Sequence, residues 1–311
     1  MTRRRTRIAT ALLATATALA LAVGVSACSS AGSGSSTSSA AAKPAVVKLG
    51  VHDASKNYWT TWQTEAKKQN IDLQIVPITD GQQLDQSVVD GTTDINSFQH
   101  LFYQAQFNVA TNSHLVALAA NYIYPMGIYS KKYKKISQIP SGSTVLVPND
   151  ATNQARALLV FQQAGLLKLK DGGSPLSTPD DVLPESKVKV QAVASTQVVI
   201  GLGDVAAGAT TNNNVVDGGL DPKDALINDA KSTDADPYIN IFTVRQKDAN
   251  NPTLKKLVKI FQNSKEIQQQ ISDENGGILI DKSSVPQKQL QSILKKLEKQ
   301  YATATGKSYQ P

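Results

Sequence analysis

Short apolar segments alternate with helix-like segments along most of the 311-residue chain, which restricts the fold to the α/β class. Residues 46–51 form an apolar run typical of a buried strand, residues 58–70 have helical character, and residues 71–76 alternate with the period of a strand. The same reasoning predicts strands over 94–96, 115–120, 126–130, 144–147, 188–193 and 238–244, and helices over 82–90, 98–108, 153–164, 252–263, 266–272 and 286–301. Ligands of open α/β sheets bind beyond the carboxyl ends of strands, so strand-to-helix junctions carry the most functional information.

The first 28 residues have the organisation of a lipoprotein signal peptide. Arginines at positions 3, 4, 5 and 7 precede an uncharged segment over residues 8–25, and small residues stand directly before Cys28. The sequence predicts that residues 1–27 are removed and that Cys28, the only cysteine, carries acyl chains such as palmitate. The protein is then exported and lipid-anchored on the extracytoplasmic face of the cell membrane. An ordinary secreted protein or a single-pass anchor of about 18 apolar residues are the alternatives.

Residues 28–45 are rich in Ser, Gly and Ala, which predicts a flexible tether after the lipidated cysteine. The remaining chain exceeds the usual size of one compact domain, so two lobes are expected. The formal charge is +7, but the leader contains four of the 32 basic residues and none of the 25 acidic ones, leaving 28 against 25, or +3. That excess is too small to predict nucleic-acid binding.

The junction over residues 145–156 is the most informative one. A predicted strand ends in Asn149 and Asp150, Asn153 is the expected N-cap of the next helix, and Arg156 falls in its first turn. A cation in a first turn opposes the helix dipole unless an anion lies between them. The guanidinium is therefore a candidate for binding a ligand carboxylate through two parallel hydrogen bonds. A solvated or internally paired arginine is the alternative.

Other junctions offer weaker candidates. Phe98 and His100 follow a predicted strand and are candidates for the wall of an apolar pocket, although a core phenylalanine and a structural histidine are the ordinary interpretation. Two aromatic segments, residues 121–125 and 236–240, are candidate crossings between lobes. The asparagine run at 212–214 offers amides to a ligand or is a surface turn.

Catalytic and cofactor motifs are scarce. The three histidines, at positions 52, 100 and 114, lack the spacing of metal ligands, and there is no Gly-x-Ser-x-Gly element. A nominal dinucleotide-binding pattern at 201–206 is followed by a poor helix. The sequence therefore predicts a protein that is not an enzyme and that needs neither metal nor cofactor.

Several of these stretches, taken together, resemble one family, the NlpA-type methionine-binding lipoproteins of ABC importers. The matching stretches, in order, are residues 94–100, 124–132, 147–156 continuing through 163–170, and 237–240. The resemblance implies a type II periplasmic-binding-protein-like fold. Each lobe has a mixed, mostly parallel sheet flanked by helices, and the ligand lies in a cleft between the lobes. The expected boundaries are 46–125 with 237–311 for lobe 1, and 126–236 for lobe 2.

The resemblance also implies a set of ligand contacts. Arg156 would hold the α-carboxylate of methionine, Asn240 with Asn212 or Asn213 would hold the amino-acid backbone, and Phe98 and His100 would flank the thioether. Tyr124 and Asn153 complete the expected site. Many relatives carry a tyrosine where this chain has Gly81, and Tyr58 and Trp59 are the expected replacements for its ring.

The implied partners are a small amino acid, an ABC permease and its ATPase, with the protein itself a monomer that binds no nucleic acid. Three alternatives remain. The same scaffold binds a different ligand, namely a methionine derivative, another amino acid or a short peptide; the protein is a secreted hydrolase; or it is a surface adhesion protein.

Overall fold

The computed structural model describes residues 43–232 and 235–310. The predicted signal peptide, the lipidation site Cys28 and most of the tether lie outside the described residues. Within the described ranges, no helix is long and apolar enough to cross a bilayer.

Twelve strands are described, which we number along the chain: β1 Ala45–Val51, β2 Ile71–Pro77, β3 Ile95–His100, β4 Leu115–Ala120, β5 Tyr122–Ile123, β6 Met126–Tyr129, β7 Thr144–Pro148, β8 Lys189–Val193, β9 Ala207–Thr211, β10 Ile227–Asn228, β11 Asn240–Arg245 and β12 Ile280–Asp281. The α-helices of the same ranges are α1 Asn57–Lys67, α2 Gly81–Val89, α3 Leu101–Thr111, α4 Ala151–Gln163, α5 Gln197–Ile200, α6 Asn212–Asp217, α7 Pro252–Asn263, α8 Lys265–Glu274 and α9 Gln287–Thr305.

Two five-stranded sheets organise the molecule, and each defines one lobe. The first has the order β2-β1-β3-β11-β4 and the second the order β10-β6-β9-β7-β8. In each sheet a single strand runs against the other four: β11 in the first and β6 in the second. Each reversed strand is the one that follows a crossing from the other lobe. The predicted α/β fold with mixed, mostly parallel sheets is confirmed.

Each lobe has its own apolar core. In the first lobe, Trp62 and Phe261 are almost completely buried between β1, β11 and helices α1, α7 and α8. In the second, Phe161 of α4 packs with Met126 and Val147 of the sheet. Sequestering these large side chains stabilises each lobe through the loss of apolar area from water.

Two predicted helix starts are wrong, and both errors affect the site. Strand β3 continues to His100, where residues 98–100 were expected to be helical, because His100 pairs with Asn240 of β11. Helix α4 begins at Ala151 rather than Asn153, because Asp150 is the N-cap and its carboxylate accepts the Asn153 backbone N–H at 3.0 Å. Arg156 is therefore the sixth residue of α4 and lies in its second turn.

Candidate functional site

A cavity of about 710 Å³ separates the two lobes. Both sheets contribute to it through the residues that follow their strands, as expected for open α/β sheets. Nine of the ten predicted ligand-binding residues line it, namely Tyr58, Trp59, Phe98, His100, Tyr124, Asn153, Arg156, Asn213 and Asn240. The tenth, Asn212, is fully buried outside the cavity wall, and its side-chain amide points to the backbone oxygen of Asn275 at 3.3 Å.

Arg156 is internally paired. Its Nε donates to Asp229 Oδ2 at 2.6 Å and its Nη2 donates to Asp229 Oδ1 at 3.1 Å, with the side chain 3% exposed and that of Asp229 11% exposed. The anion expected beside Arg156 is thus the carboxylate of Asp229, a residue of the protein itself. Among the described residues no hydrogen bond engages Nη1, so this nitrogen is the part of the guanidinium left for a ligand.

The same guanidinium joins the two segments that cross between the lobes. Nη2 also donates to the backbone oxygen of Tyr124, in the first crossing, at 3.1 Å. Asp229 directly follows β10 of the second lobe and accepts the backbone N–H of Met126 at 2.9 Å. Tyr238 belongs to the second crossing, and its ring centroid lies 4.2 Å from the guanidinium carbon of Arg156. Arg156 therefore contacts both crossings, through the backbone oxygen of Tyr124 in the first and the ring of Tyr238 in the second.

His100 connects the lobes as a neutral imidazole. Its Nδ1 accepts the backbone N–H of Tyr103 at 3.1 Å and caps α3, so the ring proton lies on Nε2, which points to Asn153 Oδ1 at 3.2 Å. Burial first, and the charge of Arg156 second, lower the pKa of His100 to about 3, against the opposing hydrogen bond to Asn153. The uncharged ring fixes the Asn153 amide on the cavity wall.

Aromatic rings form the first-lobe wall of the cavity. Phe98 lies between His52 and Tyr103, with ring centroids 5.8 and 5.6 Å away, and His100 lies 5.3 Å from Tyr238, all in edge contacts. The wall is apolar with weakly polar edges, which suits an apolar or thioether side chain. Sequence reasoning missed Tyr103, although its position three residues after His100 in the first turn of a helix was a usable signal.

Gly81 lies against two aromatic side chains of the cavity wall. A β-carbon on Gly81 would lie 2.5 Å from Tyr103 Oη and 2.9 Å from Phe98 Cε2. Tyr103 and Phe98 therefore occupy the space that a larger residue at this position would need. That Tyr58 and Trp59 take the place of the tyrosine ring stays a prediction.

Tyr58 and Trp59 also line the cavity, where they orient an acidic side chain. Tyr58 Oη donates to Asp53 Oδ2 at 2.5 Å and Trp59 Nε1 donates to Asp53 Oδ1 at 3.0 Å. Burial and the nearby Asp53 charge raise the pKa of Tyr58 well above its ordinary value, so the phenol keeps its proton. Asp53 was not a sequence candidate, since a lone aspartate after a strand resembles a turn residue.

Two of the predicted amides face the cavity with unused capacity. Asn213 makes no side-chain hydrogen bond to any described residue, and Asn240 uses only Nδ2, in a 3.4 Å contact with the backbone oxygen of Tyr238. Both remain available to polar groups of a ligand.

The lobes also touch at the mouth of the cleft. Lys56, before α1, lies 2.6 Å from Asp217 of α6 and 3.8 Å from Glu274 of α8. Burial alone would lower the pKa of Lys56, but its hydrogen bond to Asp217 and the surrounding carboxylates raise it. This ion pair spans the two lobes in the structure.

Two α/β lobes joined by two crossings around a ligand-sized cleft define a solute-binding protein of the periplasmic-binding-protein type. The model of the NlpA lipoprotein family matches residues 47–283, and the chain belongs to that family. The predicted family is thereby confirmed.

Relatives and solved structures agree with this assignment. The probable D-methionine-binding lipoprotein MetQ of Pasteurella multocida is 33% identical over 216 residues, which cover 68% of this chain and 77% of the relative. Protein PG110 of Staphylococcus aureus has a TM-score of 0.74 at 32% identity, covering 81% of this chain and 99% of that one. A nutrient-binding protein of Burkholderia cenocepacia, solved with methionine bound, has a TM-score of 0.68 at 31% identity, covering 76% of this chain and 99% of that one.

Proposed function

We propose that the protein is a lipid-anchored solute-binding component of an ABC importer that captures methionine in its cleft. The observation that carries the proposal is the combination, on one cavity, of a free arginine nitrogen, two available asparagine amides and an aromatic wall. These groups match the carboxylate, the backbone polar atoms and the thioether of methionine. The relatives named for methionine binding support the same ligand.

Each part of the ligand has a proposed partner. The carboxylate accepts from Arg156 Nη1, and since Nε and Nη2 are committed to Asp229, the contact uses one nitrogen rather than the two-nitrogen fork expected from sequence. Asn213 and Asn240 hold the amino-acid backbone, with Asn153 and Tyr124 beside them. The side chain lies against Phe98, His100 and Tyr103. Asn212 has no proposed contact with the ligand.

Ligand contacts with both lobes favour the closed arrangement, and lobe 1 (46–125 and 237–311) then closes against lobe 2 (126–236) as a hinge motion. Acyl chains on Cys28 hold the protein at the extracytoplasmic face of the membrane. The closed monomer docks on a membrane permease that a separate ATPase energises, and the protein itself has no catalytic role.

Calorimetry tests the ligand. Residues 43–311 contain both cores, so this soluble form is titrated with L- and D-methionine and with the other amino acids. We expect binding at about micromolar Kd, near −8 kcal/mol, and its loss in Arg156→Ala. Arg245→Ala is the matched control, because Arg245 pairs with Asp248 away from the cavity. If no amino acid binds, or if Arg156→Ala binds as the wild type does, the proposal is wrong.

A second candidate is the same scaffold with a different ligand, such as a methionine derivative, another amino acid or a short peptide. The observation that favours it is Gly81, around which Tyr103 and Phe98 reshape the side-chain pocket. Mass spectrometry of ligand extracted from freshly purified protein separates the two candidates, since methionine is expected for the first and a different mass for the second.

A further inference from the structure

The charged residues of the cavity wall are mostly neutralised by the protein itself. Seven of them line the cavity: Asp53, Lys56, Asp80, Asp150, Arg156, Asp217 and Glu274. Asp80 and Asp150 each accept a backbone N–H as helix N-caps, at 2.8 and 3.0 Å, and so lie in the positive field of a helix start. Arg156 has Asp229 as its counter-ion.

Lys56 partly neutralises the carboxylates at the mouth of the cleft. It contacts Asp217 and approaches Glu274, so one ammonium faces two carboxylates there. Asp53 is different from the other acids of the wall. Among the described residues no Lys, Arg or His nitrogen lies within 4 Å of its carboxylate, and no backbone N–H donates to it.

The carboxylate of Asp53 is nevertheless held in a fixed orientation. Its two hydrogen-bond partners, the Tyr58 hydroxyl and the Trp59 indole N–H, are neutral and belong to buried side chains that are 6% and 3% exposed. Neutral donors orient a carboxylate without cancelling its charge. The Lys56 ammonium attracts Asp53 only from beyond 4 Å and is already engaged by Asp217 and Glu274. The partly desolvated carboxylate therefore lacks a close counter-charge, which an entering cation can supply.

We propose that Asp53 is the counter-ion for the ammonium group of the ligand and that it makes a free amino group a requirement for tight binding. The inference rests on the proposed function and adds a specificity-determining residue to it. Asn213 and Asn240 accept hydrogen bonds from the same part of the ligand but bring no charge. The class of ligand that fits carries an apolar side chain, a carboxylate for Arg156 and a primary amine for Asp53.

The experiment compares two ligands and three proteins by calorimetry. The ligands are L-methionine and 4-(methylsulfanyl)butanoate, which is methionine without its amino group. The proteins are the wild type, Asp53→Asn, and Asp72→Asn, which removes a carboxylate charge from the exposed face of β2 outside the cavity. Asparagine keeps one oxygen, which can accept from Tyr58 or from Trp59.

We expect Asp53→Asn to weaken methionine binding by about 10- to 100-fold, as for loss of a hydrogen bond to a charged group. The des-amino ligand should bind the wild type and Asp53→Asn within about twofold of each other, and Asp72→Asn should match the wild type with both ligands.

Two results overturn the inference alone: equal affinity of the wild type for both ligands, or unchanged methionine affinity in Asp53→Asn. The comparison of the two ligands in the wild type needs no variant protein. A wild type that binds no amino acid overturns the proposed function together with the inference.

Discussion

The cleft contains two charged groups that the fold treats in opposite ways. Arg156 lies among partners that satisfy it: Asp229 takes two of its nitrogens, Tyr124 accepts from one of them, and the guanidinium lies 4.2 Å above the ring centroid of Tyr238. Asp53 accepts side-chain hydrogen bonds only from neutral donors, and the Lys56 ammonium lies more than 4 Å from its carboxylate. The arginine is therefore part of the framework as well as of the site, whereas the aspartate contributes to the site with little structural role.

The largest effect is expected from Arg156→Ala in the ligand-free protein. The Asp229 side chain is only 11% exposed, and the substitution removes its counter-ion. Breaking a buried ion pair in this way costs about 3–5 kcal/mol. The free energy of unfolding, measured by urea denaturation, should fall by that amount. The double variant with Asp229→Ala should lose much less than the sum of the single losses. Additive losses would show that the pair does not support the framework.

A pH-dependent effect is expected from His100, next to Arg156. Its folded pKa of about 3 lies below the ordinary 6.5, so the neutral ring stabilises the fold above pH 6.5, and this contribution is lost as pH falls toward 3. The difference in unfolding free energy between wild type and His100→Asn should decrease by about 1.4 kcal/mol per pH unit below 6.5. Asparagine preserves an acceptor for the N-cap of α3.

Asp85 makes an opposing pH-dependent contribution to the unfolding free energy. It is present in both the wild type and His100→Asn, so it cancels when the two proteins are compared. Burial raises the pKa of Asp85 to about 8, against hydrogen bonds from Asn96 and Gln99 that lower it, so its neutral form stabilises the fold at low pH and that contribution declines as pH rises from about 4 to 8. In the wild type the two trends largely cancel between pH 4 and 6.5. A flat difference curve in that window would contradict the assignment of His100 as a buried neutral ring.

A smaller effect is expected at the mouth of the cleft. Lys56→Met removes the contact with Asp217, whose side chain is 51% exposed, so the loss of unfolding free energy should stay below about 1 kcal/mol. Because the pair is partly exposed, the effect should shrink further in 1 M salt. A loss of unfolding free energy as large as that of Arg156→Ala would mean that Lys56, at the mouth of the cleft, supports the fold as much as Arg156 does.

The smallest effect on stability is expected from Asp53→Asn. The amide oxygen still accepts from one donor, and no cation loses a partner within 4 Å, so the unfolding free energy should change by less than about 1 kcal/mol. Thermal and urea denaturation without ligand measure this. A destabilisation of several kcal/mol would mean that Asp53 is structural in the same sense as Asp229.

Sequence reasoning predicted most of the fold because the signals for strands and helices are local. Strand β4 has its predicted bounds, and β1, β2 and β7 differ by one residue at an end. The helix starts at α3 and α4 were wrong because the capping groups, His100 and Asp150, compete with equally good candidates a few residues away.

The site was predictable where a junction presented its residues together, as at Asn153 and Arg156. The charge partners within the site were not predictable from the sequence. Asp229 is 73 positions from Arg156, and only the tertiary fold of the second lobe brings the two side chains together. Asp53 resembled a turn residue until Tyr58 and Trp59 were seen to bind it. Long-range pairing depends on the tertiary fold, and no periodicity in the sequence encodes it.

The attachment of Arg156 to both crossings has a consequence for anyone who would retune this cleft as a biosensor. Exchanging the arginine to admit a new analyte would loosen the connection on which the signal depends. The aromatic wall of Phe98 and Tyr103 offers safer positions, because those rings contact each other and the cavity rather than the crossings. Substitutions there can change ligand selectivity while the contacts of Arg156 with both crossings stay intact.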